Sequence, residues 1–112
     1  MDDIARVCKA LGDERRFSIV QLLLERDYCV RALAHRLRIS EAAVSQHLKL
    51  LREAGLVEGE KRGYWTHYSV KRDALRNAAG GLLGMAGTSG EEVAGCARER
   101  AAGRIAATKR EE

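Results

Sequence analysis

The sequence contains no proline, and aromatic residues make up only 4% of its 112 residues. Proline is the commonest helix breaker, so its absence leaves helix formation unopposed. With so few aromatic rings, the hydrophobic 46% of the chain must form a core from Leu, Val, Ile and Ala, a composition that favours helices. We therefore expect one mainly helical domain of ordinary size.

The sequence also lacks a long hydrophobic run and a cysteine framework. No apolar run approaches the roughly 20 residues of a membrane span, and "MDDIARVCKA" has no signal-peptide pattern. Three widely spaced cysteines, an odd number, argue against a set of disulfides. We expect a cytosolic protein with no membrane partner, in which Cys8, Cys29 and Cys96 are reduced.

The net charge of +4 is small, but its distribution is uneven. Residues 28–76 contain ten Lys and Arg residues against five acids, together with all three histidines. A basic region of this kind points to a polyanionic partner such as nucleic acid. Charge alone leaves open a second interpretation, a solvated surface that happens to be basic.

Apolar residues at helical spacing predict four helices in the first half of the chain. The first carries a stripe that includes Cys8 as a small core residue and ends at Gly12. Asp13 is the expected cap of the second helix. The third covers "VRALAHRL", and the fourth covers 41–54 between the cap Ser40 and Gly55. The residues expected to face inward are Ile4, Val7, Cys8, Leu11, Phe17, Ile19, Val20, Leu23, Leu24, Val30, Leu33, Leu37, Val44, Leu48 and Leu51.

After Gly55 the apolar period changes to two, which is typical of strands. "LVEGE" and "YWTHYSV" predict a hairpin with "KRG" at its turn. Alternation should place Tyr64, Thr66, Tyr68 and Val70 on one face, and Trp65, His67 and Ser69 on the other.

The last third of the chain is rich in glycine and predicts weaker structure. "DALRNAAGGLLGMAG" indicates a helix that its glycines weaken by about 1 kcal/mol each relative to alanine. It is either a dimer contact or a frayed tail helix. We expect residues 1–87 to form a DNA-binding and dimerisation domain, and 88–112 a charged C-terminal helix or tail.

Two short helices joined by "LRIS" and followed by a basic hairpin predict a mainly α winged helix-turn-helix. A helix fits the major groove of DNA, where Gln46 can pair bidentately with adenine. Ser45 and His47 can donate to bases or phosphates, and Ala42 and Ala43 allow close approach. The cations expected to contact phosphates or the minor groove are Lys49, Arg36, Arg38, Lys61 and Arg62. An ordinary polar helix face is the alternative; His47 as a metal ligand lacks a partner at helical spacing.

The run from "LGDERRFSIVQLL" through "SEAAVSQHLKLLREAGLV" to "GYWTHYSV" resembles the ArsR/SmtB family of bacterial repressors over residues 4–85. The resemblance implies a homodimer on dyad-symmetric, double-stranded operator DNA, released by an effector. It assigns DNA reading to Ser45, Gln46 and His47, and the wing to Lys61, Arg62 and Tyr64. It also implies dimerisation through the first and fifth helices. The candidate interface residues are Ile4, Val7, Leu11, Leu75, Leu82 and Met85.

The effector is less well defined by the residues. Cys29 matches the first cysteine of the Cys-Val-Cys motif of the arsenic-sensing branch, but Arg31 replaces the second. The zinc-sensing branch needs Asp and His on the fifth helix, and residues 71–86 contain no histidine. Cys29, at a helix N-terminus, favours the thiolate form. Cys8, Cys29 and Cys96 remain candidates for a thiophilic ion such as As(III) or Cd(II), with Cys8 and Cys29 meeting across a dimer.

Three alternatives stay open. The cysteines can sense oxidation, for which Cys29 and one resolving thiol suffice, or they can sense nothing. A winged helix can also bind protein instead of DNA, which predicts affinity that hardly depends on salt. An enzyme is disfavoured, because the sequence contains no catalytic set and no phosphate-binding loop.

Overall fold

The structure, a computed structural model, describes residues 2–87. Within this range it has five helices and three strands. In chain order they are α1 (Asp2–Leu11), α2 (Glu14–Glu25), β1 (Tyr28–Cys29), α3 (Val30–Leu37), α4 (Glu41–Glu53), β2 (Val57–Arg62), β3 (Trp65–Val70) and α5 (Arg72–Ala86). The predicted helix or tail over 88–112, which includes Cys96, lies outside the described residues.

The helix ends confirm the predicted caps. Asp13 accepts hydrogen bonds from the backbone N–H groups of Arg15 (2.9 Å) and Arg16 (3.1 Å) at the start of α2. Ser40 Oγ accepts from the backbone N–H of Ala43 at 3.0 Å and begins α4. Such caps satisfy N–H groups that have no partner inside the helix. After α4, Gly55 adopts a φ of +78°, the left-handed conformation that turns the chain toward β2.

The core lies beneath α4. Its predicted inward residues Val44, Leu48 and Leu51 are at most 1% exposed, which confirms the helical period. Burying a Leu or Val side chain in this way contributes about 1.5–3 kcal/mol to folding. The other side chains that are essentially fully buried are Ile19, Leu33, Leu56 and Val57.

Two core predictions on the first helices are wrong. Phe17 is 48% exposed, because α2 packs against α1, α4 and β3 and buries Ile19, Val20 and Leu23 instead. Cys8 is exposed, since α1 turns Val7 and Ala10 into the core. An apolar stripe on one side of a helix does not determine how the helix is rotated about its own axis when several elements pack against it. Ile4, Leu11, Leu24, Val30 and Leu37 are partly buried.

The hairpin joins a strand that the sequence analysis missed. The sheet is antiparallel in the order β1–β3–β2, with Tyr28 opposite Tyr68 and Cys29 opposite His67. The predicted turn is also shifted. Lys61 and Arg62 belong to β2, where they pair with Thr66 and Trp65, and Gly63 and Tyr64 form the turn.

The described residues form two compact units, which divide between Ala79 and Gly80 within α5. The first contains the helices and the sheet described above, up to Ala79. The described part of the second is residues 80–87, where Leu82, Leu83 and Met85 are exposed. None of the described helices combines the length and apolar character needed to cross a membrane.

Candidate nucleic-acid interface

Helices α3 and α4 are joined by a tight turn. Arg38 ends α3 with φ +59° and ψ +45°, a left-handed conformation that is uncommon for a residue with a side chain. The following N–H, that of Ile39, donates to the Ala34 carbonyl at 3.2 Å. Ser40 then begins α4, so only three residues separate the two helices. This is the connection of a helix-turn-helix.

The outer face of α4 carries polar side chains that have no partners in the fold. Ser45, Gln46 and Lys49 are exposed, as predicted. None of the three forms a hydrogen bond or ion pair with the residues that the structure describes. Val44, Leu48 and Leu51 anchor the opposite face, so this polar set is presented on a rigid helix.

His47 lies at the edge of this polar face. It is partly buried, and its Nδ1 atom is buried without a hydrogen-bond partner among the described residues. It also lies close to the cap of α2. The backbone N–H of Arg16 is the largest factor that lowers the pKa of Asp13, and the positive charge of Arg16 lowers it further. His47 is less exposed than Ser45 or Gln46.

The two arginines of α3 and its C-terminus differ in their surroundings. Arg36 donates a hydrogen bond from Nη1 to the Tyr28 hydroxyl at 2.9 Å, with its guanidinium 5.8 Å from the ring centre. Arg38 is exposed and has no such contact among residues 2–87. Both arginines are exposed, but only Arg36 has a partner among the described residues.

Arg62 of the hairpin also has internal partners. Its guanidinium lies 2.6 Å from the Asp27 carboxylate, which precedes β1, and 2.9 Å from that of Glu60. The hydrogen bond to Glu60 is the main cause that raises the pKa of Arg62, and Asp27 adds to it. Lys61 is exposed on the other face of the strand, and Tyr64 is 96% exposed at the turn. Lys61 and Tyr64 are thus exposed side chains of the hairpin without a described partner. The ion pair between Arg62 and Asp27 connects the hairpin to the segment before α3.

The helix-turn-helix lies within a segment of the chain that matches a known protein family. Residues 13–59 match the family described as "Bacterial regulatory protein, arsR family". An ArsR-like transcriptional regulator from Rhodococcus sp. RHA1 superposes with a TM-score of 0.76 at 31% identity, over 88% of this chain and 91% of that one. The chain belongs to the ArsR family. Members of this family are DNA-binding transcriptional regulators and not enzymes.

The names of two curated relatives refer to resistance to arsenicals or to cadmium. The arsenical resistance operon repressor of Escherichia coli is 48% identical over 63 residues, 55% of this chain and 54% of the relative. A cadmium resistance regulatory protein CadC homolog of Staphylococcus aureus is 39% identical over 75 residues, 66% of this chain and 62% of the relative. The matched region spans a little over half of each of these ArsR-type proteins.

A second solved structure bears on assembly. It is the homodimeric winged helix-turn-helix DNA-binding domain of a possible ArsR-family regulator from Mycobacterium bovis. The TM-score is 0.64 at 32% identity, over 73% of this chain and 77% of that one. On the present chain, the predicted dimer residues Ile4, Leu11 and Leu75 are partly buried. Leu82 and Met85 are 45% and 76% exposed, whereas Val7 is 4% exposed and already packs in the core of its own chain.

The thiols occupy different settings in this ArsR-family fold. Cys29 is partly buried and is the N-cap residue of α3, without a side-chain capping hydrogen bond. Cys8 is exposed on α1. Residues 2–87 contain no group of three or more His, Cys, Asp or Glu side chains arranged to hold a metal ion.

Sequence reasoning missed two arrangements around strand β1, which is two residues long and carries no periodic signal. Asp27, just before β1, forms an ion pair with Arg62 of β2. Cys29 of β1 lies opposite His67 of β3. The sequence "DYC" before a helix gives no indication of either contact.

Proposed function

We propose that the protein is a homodimeric repressor that binds dyad-symmetric operator DNA and is released by a thiophilic effector. The observation that carries the proposal is the outer face of α4. Ser45 and Gln46 are exposed polar residues without internal partners, on a helix whose inner face is fully buried. A helix presented in this way fits the major groove, and Gln46 is the residue best suited to read a base.

Phosphate contacts are assigned to cations that the fold leaves available. These are Lys49 on α4, Arg38 at the turn and Lys61 on the hairpin, with Tyr64 at its tip. Contacts of this kind set the position of the protein on DNA and carry no sequence information. Arg36 and Arg62 are proposed to act indirectly. Tyr28 holds the guanidinium group of Arg36, and Asp27 and Glu60 hold that of Arg62.

The homodimer is proposed to form through α1 and α5. Leu82, Leu83 and Met85 are large apolar side chains left exposed within about one turn of α5. The homodimeric relative from Mycobacterium bovis supports a second copy of the chain as the partner. A two-fold dimer presents two α4 helices to half-sites about one helical turn of DNA apart.

The effector is proposed to be a thiophilic metal or metalloid, of the class that includes As(III) and Cd(II), bound through Cys29. Thiolates select such ions, and the relatives named for arsenical and cadmium resistance support this class. Cys8 of one protomer is the proposed second thiol, since it is exposed on α1. Cys96 is the third candidate. Binding is proposed to take place in the cytosol, where thiols stay reduced.

A second candidate signal is oxidation of the same thiols. Cys8 is exposed and Cys29 is only partly buried, so an oxidant can reach both. Oxidation of one thiol to a sulfenic acid, followed by attack of a second thiol, forms a disulfide. The DNA-binding surface is unchanged in this version, and only the release step differs.

The test is selection of bound duplexes from a random pool, followed by release assays on the selected site. We expect an enriched motif with dyad symmetry and a steep fall in affinity as salt rises. Addition of As(III), Cd(II) or peroxide then identifies the signal, with single Cys→Ser variants of the three cysteines as controls. Selection that yields no motif, or affinity that does not change with salt, contradicts DNA recognition and favours a protein-binding winged helix.

A further inference from the structure

The first residue of α5 forms a hydrogen bond with the end of α2. Arg72 donates from Nη2 to the backbone carbonyl of Leu24 at 2.8 Å, across 48 positions of the sequence. Within residues 3–87 this is the only side-chain hydrogen bond that joins α5 to another element. Leu24 lies in the last turn of α2, where carbonyl groups have no partner inside the helix. A cationic donor at that end satisfies one of them and is also favoured by the helix dipole.

The backbone beside Arg72 is held by the core. The N–H of Lys71 donates to the carbonyl of Leu56 at 2.7 Å. Leu56 is fully buried, and Val70 is 9% exposed. Arg72 therefore reaches α2 from a fixed point, and its hydrogen bond restricts how far the end of α2 can move.

Two further arginines are bound by the segment that follows Leu24. The Asp27 carboxylate pairs with Arg62 of the hairpin at 2.6 Å. The Tyr28 hydroxyl accepts a hydrogen bond from Arg36 of α3 at 2.9 Å. These two partners lie three and four residues after Leu24. A shift at the end of α2 therefore displaces groups that contact the hairpin and the first helix of the helix-turn-helix.

We propose that Arg72 is a positioning residue for DNA binding. It holds the end of α2, and the connection from α2 to α3 in turn holds the hairpin and α3. The inference rests on the proposed function and adds a determinant that lies outside the surface assigned to DNA. Arg76 of the same helix has no such link, since its described partner is Asp73 within α5, at 3.1 Å. Arg76 therefore provides a matched control for the loss of one exposed positive charge.

The first measurement needs no DNA. The backbone N–H of Arg26 donates to the carbonyl of Leu22 at 3.3 Å, so its hydrogen exchange, followed by NMR, reports the order of the end of α2. We expect exchange about three- to tenfold faster in Arg72→Gln, which loses the charged donor, and little change in Arg76→Gln. Unchanged exchange in Arg72→Gln would overturn the proposal, because the guanidinium would then not hold this end of the helix.

The second measurement is the affinity of the full chain for the operator selected from the random pool. Arg72→Gln should weaken binding about two- to fivefold, a modest loss because the contacts that it acts through are exposed. Arg72→Lys should stay within about twofold of the parent, since an ammonium group can donate to the same carbonyl. Arg76→Gln removes the same charge and should also stay within about twofold. Equal losses in Arg72→Gln and Arg76→Gln, with both folded by circular dichroism, would show that only charge matters.

A double variant gives a result that a merely structural role would not produce. If Arg72 acts through the connection from α2 to α3, Arg72→Gln should cost less affinity in the Asp27→Asn background than in the parent. A combined loss equal to the product of the two single losses would contradict this route. Failure of the proposed function is distinguishable, because it would appear in the parent chain as the absence of a selected operator, and the positioning role would fail with it.

Discussion

At the scale of single residues, the polar face of α4 has the clearest assignment. Gln46 is exposed, lacks internal partners and lies one residue from Ser45 on a helix anchored by Val44 and Leu48. If Gln46 reads a base as proposed, removing its side chain should disturb recognition without disturbing the core. Lys49, one turn further along the same face, is proposed to contribute charge instead of a base contact.

Gln46→Ala should relax the operator preference at one base pair per half-site by about 1–3 kcal/mol. Affinity for unrelated duplexes should stay nearly constant, since the amide carries no charge. Lys49→Ala is the matched control, because it should weaken all sequences alike and reduce the salt slope by about one. Affinities for the selected site and single-base variants measure the difference. A uniform loss in Gln46→Ala would show that this residue does not read a base.

Gly55 is a second residue with a definite role, at the end of α4. Its φ of +78° lies in the left-handed region, and no atom lies within 4 Å of an added Cβ. Gly55→Ala should therefore destabilise the protein by about 1–2 kcal/mol through backbone strain alone. Gly80→Ala, also in open space but inside α5, should stabilise by about 0.5–1 kcal/mol. Urea unfolding of both variants measures the contrast; equal effects would contradict it.

Asp13 gives a prediction about pH. The backbone N–H of Arg16 holds the pKa of this carboxyl below its ordinary value of 3.8. A lowered folded-state pKa means that its stabilising effect is present above the unfolded-state value and is lost as pH falls through the folded value. Asp13→Asn can still accept the capping bonds but does not titrate. Its stability should therefore fall less than that of the wild type below about pH 4, measured by unfolding at several pH values.

At the scale of elements, the hairpin is positioned by a bridge of ion pairs. Arg62 connects β2 to the segment before β1 through Asp27 at 2.6 Å, and to Glu60 at 2.9 Å. Gly59 lies on the same strand, and a Cβ added there would lie 2.9 Å from the Thr66 methyl group, so a side chain at this position would require its neighbours to shift.

Asp27→Asn should weaken DNA binding about two- to fivefold, although it removes a negative charge that would otherwise repel DNA. The reason is that Arg62 then loses the Asp27 carboxylate, which positions the wing. The effect is small because an exposed ion pair contributes at most about 1 kcal/mol. Arg62→Gln should have a similar effect, and the double variant should be no worse than either single one. Glu25→Gln, with the same charge change nearby, is the control. Tighter binding in Asp27→Asn would show that the bridge does not position the wing.

At the scale of the whole molecule, the proposed recognition of DNA depends on the proposed dimer. A monomer offers one α4 to one half-site, whereas a symmetric dimer offers two. Leu82, Leu83 and Met85 are exposed apolar side chains that such an assembly would bury. The basic region between residues 28 and 76 is then present twice on one DNA duplex.

Leu82→Asp should dissociate the dimer and weaken operator binding by more than tenfold. A charge at this position is buried without a partner when two copies meet, which opposes association. Gln21→Asp adds the same charge on α2, outside the proposed interface, and should leave both properties unchanged. Sedimentation of the two variants measures the oligomeric state. A dimeric Leu82→Asp with normal affinity would place the interface elsewhere.

Much of this fold follows from local patterns. Caps at Asp13 and Ser40 and the buried period of Val44, Leu48 and Leu51 are properties of neighbouring residues, so α2 and α4 could be predicted from the sequence. The exposed set on α4 follows from the same period. Phe17 and Cys8 could not be placed, because the rotation of α1 and α2 depends on which elements pack against them.

The sequence by itself determined the family, the helices, the hairpin and the polar face of α4, because each depends on spacing within a few residues. The tertiary structure alone decided which cations have partners within the chain. It pairs Arg36 with Tyr28 and Arg62 with Asp27, residues eight and thirty-five positions away, although both arginines remain exposed. It also brings His67 to Cys29 through a two-residue strand. Contacts between distant residues follow from packing, which no local pattern encodes.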